Sequence, residues 1–249
     1  MLDIEKEKIE EFCHQEEREI LRKRILDQRA KRLNKVLDLM EQGVIFLDPD
    51  TAYIDEQVTI GSGTTIGPSV IIQGNSHIGS NVTIWQNTRI VDSFIDDGTV
   101  IDQSVIAESK IGKDTNIGPF AYLRPKSVIG DKCKIGDFVE VKNSTIGDGT
   151  KASHLTYIGD ADLGENINLG CGVVFVNYDG TNKHRTTVED GCFVGCNVNL
   201  VSPVKLEQGS YIAAGTTVTE DVPSDALCVG RQKQNIKLNW AKEKGLYRK

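Results

Sequence analysis

Aliphatic residues fall along most of this chain at a spacing that neither an α-helix nor an alternating strand produces. From residue 54 one recurs every six positions: Ile54, Ile60, Ile66, Ile72, Ile78, Ile84 and Ile90. After five-residue steps the beat resumes at Ile111, Ile117, Leu123, Ile129, Ile135 and Val141, then at Ile158, Leu163, Leu169 and Phe175. A last run holds Val188, Val194, Leu200, Leu206, Ile212 and Val218. Gly follows the beat residue in many hexads, as at Gly61, Gly67, Gly79, Gly112 and Gly130. Such hexads predict a parallel β-helix, in which each unit is one side of a triangular coil and its beat residue points inward. Three hexads close a coil, so residues 54 to 218 predict about nine or ten coils at the roughly 4.8 Å spacing of strands. A sandwich of short strands lacks a constant beat and needs hairpin turns, so it fits less well.

The front of the chain differs. Residues 2 to 42 contain neither Gly nor Pro, and Leu26, Ala30, Leu33, Leu37 and Met40 alternate four and three apart. That spacing predicts a helix packed along this seam, ended by Gly43 and Asp48-Pro49. The expected organisation is a charged helix over 1–43, an all-β hexapeptide-repeat domain over 44–226 and a basic tail over 227–249. The tail sets Arg231, Lys233, Lys237, Lys242, Lys244, Arg248 and Lys249 against Glu243 alone. It suits a clamp for a polyanion as well as a solvated tail.

Positions about eighteen apart overlie one another in such a coil. On that count residues 123, 141, 158, 175, 194 and 212 share one face, and 117, 135, 152, 169, 188 and 206 the next. Arg124 and Lys142 then stand one coil apart, with Tyr157 in the following coil of that face. A guanidinium above an ammonium suits a phosphate, although solvated surface cations pair in the same way. Asn177, Cys196 and Ala214 form a column of small neutral side chains, a groove for an extended ligand. His154 lies on the adjacent face with Cys171 one coil above it. The step from Phe175 to Val188 carries Asn177-Tyr178-Asp179-Gly180, Asn182 and Lys183, a polar segment predicted to leave the scaffold as a loop.

Composition narrows the class. Apolar residues make up 39% and aromatics only 6%, so the core must be aliphatic. The net charge of -7 weighs against general nucleic-acid binding. No run approaches the roughly 20 apolar residues of a membrane span. Scattered cysteines and a charged start without a signal core point to a reducing cytoplasm. Between residues 18 and 35, Arg18, Arg22, Lys23, Arg24, Arg29, Lys31, Arg32 and Lys35 face only Glu19 and Asp27. That stretch reads as a solvated helix face or as a contact for an acidic partner, which keeps a non-catalytic interaction protein open.

At Arg124-Pro125, Lys142, Lys151-Ala-Ser-His154-Leu-Thr-Tyr157-Ile-Gly-Asp-Ala161, Asn177-Tyr-Asp-Gly180 and Ala213-Ala-Gly-Thr-Thr217 the chain resembles a known family. This is the acetyltransferase half of the bifunctional bacterial enzymes that make UDP-N-acetylglucosamine, matched from about residue 43 to 231. The resemblance implies a left-handed β-helix, a homotrimer with active sites between subunits, and acetyl-coenzyme A and glucosamine 1-phosphate as substrates. It implies His154 as general base, with Arg124, Lys142, Tyr157, Asn168 and Lys183 on the sugar phosphate. Cys171, Asn177, Tyr178, Cys196, Ala214 and Arg231 would line the coenzyme path, and no metal is needed for acetyl transfer. The family often has alanine where Cys171 stands and serine where Cys196 stands.

The nucleotidyltransferase domain of that family carries a Gly-rich basic loop, whereas no Gly precedes Gly43 here. UTP-dependent chemistry and its Mg²⁺ site are therefore expected to be absent, and Met1 favours a stand-alone relative over a trimmed piece. An amine attacks a thioester only when unprotonated, and a histidine with a reference pKa of about 6.5 is suited to take its proton. A two-step route through Cys171 as nucleophile is the competing mechanism. Rival functions are a related acyltransferase for another amino-sugar phosphate or nucleotide sugar, and a zinc hydratase. The latter needs three histidine ligands, for which His77, His154 and His184 lack a convincing spacing.

Overall fold

The structure, a computed structural model, describes residues 2–246, with side-chain surroundings described from residue 14. Short strands pass in rotation through three parallel sheets of 11, 10 and 9 strands, the first, second and third sides of the coil. The hexad explains both strand length and register. One strand aliphatic per side turns inward beside an exposed or half-buried neighbour, as in Tyr53–Ile54 and Thr65–Ile66. Beat then pairs with beat: Ile66 with Ile84, Ile84 with Ile101, Ile101 with Ile117, and Ile117 with Ile135. The result is an axial column of fully buried isoleucines.

Buried Ser and Thr at the corners were not anticipated from the sequence. Ser104 Oγ donates to the Asp102 carbonyl at 2.6 Å and accepts the Ala121 N–H at 3.1 Å. Such hydroxyls satisfy backbone groups that the ladder leaves free where the chain turns.

Helix α1 (Leu2–Glu41) ends as expected, with Gly43 at φ +92° and the Val44 N–H donating to the Leu39 carbonyl at 3.0 Å. Its packed face is not the predicted seam. Val36 and Leu39 are buried against the first coil, whereas Leu26 is 64%, Leu37 55% and Met40 42% exposed. The base of the first coil presents unpaired carbonyls beside its apolar opening, so the helix turns the face that offers donors as well as aliphatics. Arg32 donates to the carbonyls of Ala52, at 3.1 Å, and Asp50. Lys35 Nζ donates to those of Glu56 and Val58, at 2.9 and 2.8 Å.

The stacking order also needs correction above Phe175. The thirteen-residue step to Val188 is not a lengthened pair of sides but a single side with a long excursion. Phe175 lies on the second side in register with Leu200, and Val188 on the third side in register with Leu163 and Leu206. Val194 and Ile212 therefore stack on Leu169, on the first side. Strand pairing continues through Leu227–Cys228. Beyond it the tail forms one short helix, α2 (Trp240–Glu243). Arg248 and Lys249 lie outside the described residues.

Candidate active site

The strand Lys151–His154 carries His154 to the corner between the first and second sides. Its register with Lys134–Asp137 sets His154 directly above Asp137. His154 Nδ1 lies 2.6 Å from Asp137 Oδ1, so the tautomer this geometry favours donates from Nδ1 and leaves Nε2 free to accept a proton. Asp137 was not singled out from the sequence, although it sits one coil, seventeen residues, before His154. The His154 side chain is 56% exposed, on the convex edge of the prism.

The corrected register continues this column upward. Cys171 follows His154, and the Asn197 N–H donating to the Cys171 carbonyl at 2.8 Å places Cys196 on the next rung. The Gly215 N–H donates to the Cys196 carbonyl at 2.9 Å, which puts Ala214 above it. Arg231 closes the column, its guanidinium donating to the Ala214 carbonyl at 2.8 Å. Cys196 and Ala214 thus share a column with His154 rather than with Asn177.

At the corner between the second and third sides stand Arg124 and Lys142, one coil apart as expected. Arg124 Nη1 donates to Glu140 Oε1 at 2.8 Å. Lys142 Nζ lies 3.2 Å from Asp160 Oδ2. Asp160 is buried, and it also accepts from Asn143 Nδ2 at 2.6 Å and Asn177 Nδ2 at 2.5 Å. The Asn177 amide reaches the Tyr157 hydroxyl at 3.4 Å, which draws Tyr157 into the same group. Asn168 is not brought here: it lies on the first side, beside Lys151.

Lys183 arrives on the predicted loop. The excursion is pinned by a Tyr178–Lys183 bridge and by Asp179, which accepts the N–H groups of Thr181 and Asn182 and lies 2.7 Å from His184 Nε2. Those bonds, the Asn182 N–H first, hold the Asp179 carboxyl down at about 2. Arg185 clamps the return through Asp162 and the Ala161 and Asn143 carbonyls. Lys183 is so placed that the Lys142 ammonium holds its pKa below the usual lysine range. Among the described residues no carboxylate pairs with Lys183, so the corner keeps an excess of positive charge.

Burial pushes the Asp160 carboxyl up, but hydrogen bonds from Asn143, Lys142 and Asn177 outweigh it and hold it below the ordinary carboxylate range. A depressed carboxylate adds stability above its unfolded pKa, about 3.9, and loses it as pH falls through the folded value. Asp160→Asn should therefore be less stable than the wild type at neutral pH, with the gap closing below about pH 4. Thermal unfolding across that range measures it, and a gap independent of pH would mean that Asp160 is not charged in the folded protein.

His77, His154 and His184 do not converge: His77 stacks on Phe94 at 5.0 Å on the third side, and His184 bonds Asp179. Among the described residues no three metal-binding side chains cluster, and no helix is long and apolar enough to cross a membrane.

Sequence families described as GMPPB C-terminal domain, bacterial transferase hexapeptide and hexapeptide repeat of succinyl-transferase match residues 49–123, 108–143 and 185–220. Among solved structures, UDP-N-acetylglucosamine acyltransferase from Campylobacter jejuni superposes with a TM-score of 0.52 at 22% identity, over 80% of this chain and 77% of that one. That likeness speaks for the fold alone, a left-handed parallel β-helix. Bifunctional protein GlmU of Exiguobacterium sp. is 51% identical over 85% of this chain and 47% of its own length. The GlmU proteins of Clostridium beijerinckii and Clostridium tetani are 52% and 53% identical over 83% and 86% of this chain, and 46% and 47% of their own lengths. Identity of this order over more than four fifths of its residues makes the chain a homologue of the GlmU proteins, spanning about half the length of the curated relatives it matches.

Proposed function

We propose that this chain transfers the acetyl group of acetyl-coenzyme A to the amine of glucosamine 1-phosphate and carries no nucleotidyl transfer of its own. The convergence of Arg124, Lys142 and Lys183 carries this reading. Two ammonium groups held close enough to depress one of them are stabilised by a bound dianion such as a sugar phosphate. His154 Nε2 takes the proton of the attacking amine while Asp137 fixes the ring and stabilises the imidazolium. The new C–N bond forms as the C–S bond breaks, and the proton passes to the departing coenzyme thiolate. Cys171, Cys196, Ala214 and Arg231 provide the coenzyme path above His154.

The assembly in this reading is a cytoplasmic homotrimer. In a single chain the second side of the coil separates the His154 column from the Arg124, Lys142 and Lys183 corner. Asn177 and Tyr178, assigned to the coenzyme, stand at the cationic corner, so a neighbouring copy is needed to complete a cleft. The composition of the corner beside His154 supports such a neighbour. The turn position there has φ > 0 from Ser69 to Gly215 and is filled by Ser69, Asn87, Gln103, Gly172, Asn197 or Gly215 elsewhere, but by Phe120, Phe138 and Leu155 around His154. These three are 51%, 57% and 56% exposed, and the two phenyl rings stack at 5.5 Å. A bulky residue in the left-handed region costs roughly 1 to 2 kcal/mol, a cost that burial against a second copy offsets. Phe138→Asn should relieve that strain in the single chain yet weaken the trimer, and sedimentation at low micromolar concentration reads the difference. A variant as fully trimeric as the wild type would place the interface elsewhere.

Acetyl transfer by the purified chain against a panel of amino-sugar phosphates tests the activity itself. Glucosamine 1-phosphate should be the preferred acceptor, with no pyrophosphate released from UTP and N-acetylglucosamine 1-phosphate. Preference for galactosamine 1-phosphate, or no transfer to either, would reject the assignment.

A further inference from the structure

Cys171 and Cys196 are 25 residues apart in the chain and adjacent in space. The strands Asn168–Leu169 and Phe193–Val194 pair in parallel with Asn168 opposite Phe193 and Leu169 opposite Val194. The Asn197 N–H to Cys171 carbonyl bond, 2.8 Å, carries that register around the corner. The two cysteines therefore occupy the same position on successive coils. In-register neighbours lie about 4.8 Å apart, inside the roughly 4.4 to 6.8 Å over which Cα atoms accept a disulfide.

Both thiols are free, Cys196 exposed and Cys171 half-buried. Their backbone is the most adaptable of the corner, with Gly170 and Gly172 flanking Cys171 and Gly195 preceding Cys196. Other described cysteines are placed differently. Cys133 and Cys192 are buried, and burial pushes the Cys133 thiol up to about 11. The pair sits on the two rungs immediately above His154.

We propose that Cys171 and Cys196 form a redox modification site, oxidised by a low-molecular-weight disulfide to a reversible cross-link between adjacent coils that closes the coenzyme path. The Cys196 thiolate attacks one sulfur of the reagent, forming a mixed disulfide and releasing one thiol. The Cys171 thiolate then attacks Cys196 Sγ, the protein disulfide forms and the second thiol leaves. The protein pair loses two electrons and two protons, and the reagent, reduced to two thiols, gains them. Only the effect on activity rests on the proposed acetyl transfer; formation of the bond does not.

The test treats the full chain with oxidised glutathione, with and without acetyl-coenzyme A, and follows peptide masses beside acetyl transfer. The expected product is one peptide pair joined through Cys171 and Cys196, formed more slowly with the coenzyme present. Activity should fall in step with it and return with dithiothreitol. In Cys171→Ala the resolving thiol is gone, so glutathione should stay on Cys196 as a mixed disulfide. Glutathione retained on Cys196 in the wild type, or no reaction at either thiol, would overturn the site. A complete cross-link with unchanged activity would overturn the closure and remove both residues from the coenzyme path. If the chain transfers no acetyl group at all, the cross-linked peptide still decides the modification.

Discussion

His154→Ala should lower the turnover number by about 10²- to 10⁴-fold at neutral pH, with smaller changes in both Michaelis constants. The geometry explains the direction. Nδ1 is committed to Asp137 at 2.6 Å, which leaves Nε2 as the ring nitrogen that accepts the amine proton in the proposed transfer. The deficit should shrink as pH rises, because more of the acceptor amine is then unprotonated. Asp137→Asn should cost less than His154→Ala, since an amide still holds the ring but does not stabilise the imidazolium. Cys171→Ala separates direct transfer from the two-step route: direct transfer predicts nearly normal turnover and sequential kinetics. Loss of turnover together with an isolated acetyl-cysteine would replace His154 with Cys171 at the centre of the mechanism.

Lys142→Ala is expected to act on binding rather than on the chemical step. Its ammonium neutralises Asp160 at 3.2 Å while crowding Lys183. In the proposed complex, removing it takes one charge-assisted bond from the phosphate, worth about 1.5 to 3 kcal/mol, so the Michaelis constant for the sugar phosphate should rise roughly tenfold to a hundredfold. The same change leaves the Asp160 carboxylate with the amides of Asn143 and Asn177 as its partners, so the melting temperature should fall as well. Lys183 should titrate higher once its like-charged neighbour is gone. A fall in turnover with unchanged affinity for the sugar phosphate would contradict this assignment.

The hexad beat made the solenoid legible because one inward aliphatic per side is a requirement repeated on every coil, so no single exception hides it. It made Arg124 over Lys142, and Cys171 over His154, equally legible. Counting failed at the loop after Phe175, since an excursion of arbitrary length contributes nothing to the coil and shifts every later residue by one side. That is why an eighteen-residue count sets Cys196 and Ala214 above Asn177, whereas the register stacks them above His154. Asp137 was within reach of the same arithmetic, one coil below the histidine. The helix shows a different limit. Four-and-three spacing establishes that a helix exists, but its buried face is chosen by what the neighbour lacks. Here the first coil lacks hydrogen-bond donors, which Arg32 and Lys35 supply.

Those two side chains have a consequence for how the molecule keeps to itself. A stacked coil has no lateral edge, but its first coil is a ready template on which another chain can add in the same parallel manner. Arg32 and Lys35 occupy the carbonyls that an incoming strand would use, and Val36 and Leu39 fill the opening behind them. Helix α1 is in this sense a stopper against end-to-end polymerisation. Without it, the regular spacing that lets each coil recognise the next would let one protein recognise another, and fibres would be the product of the same register that builds the site.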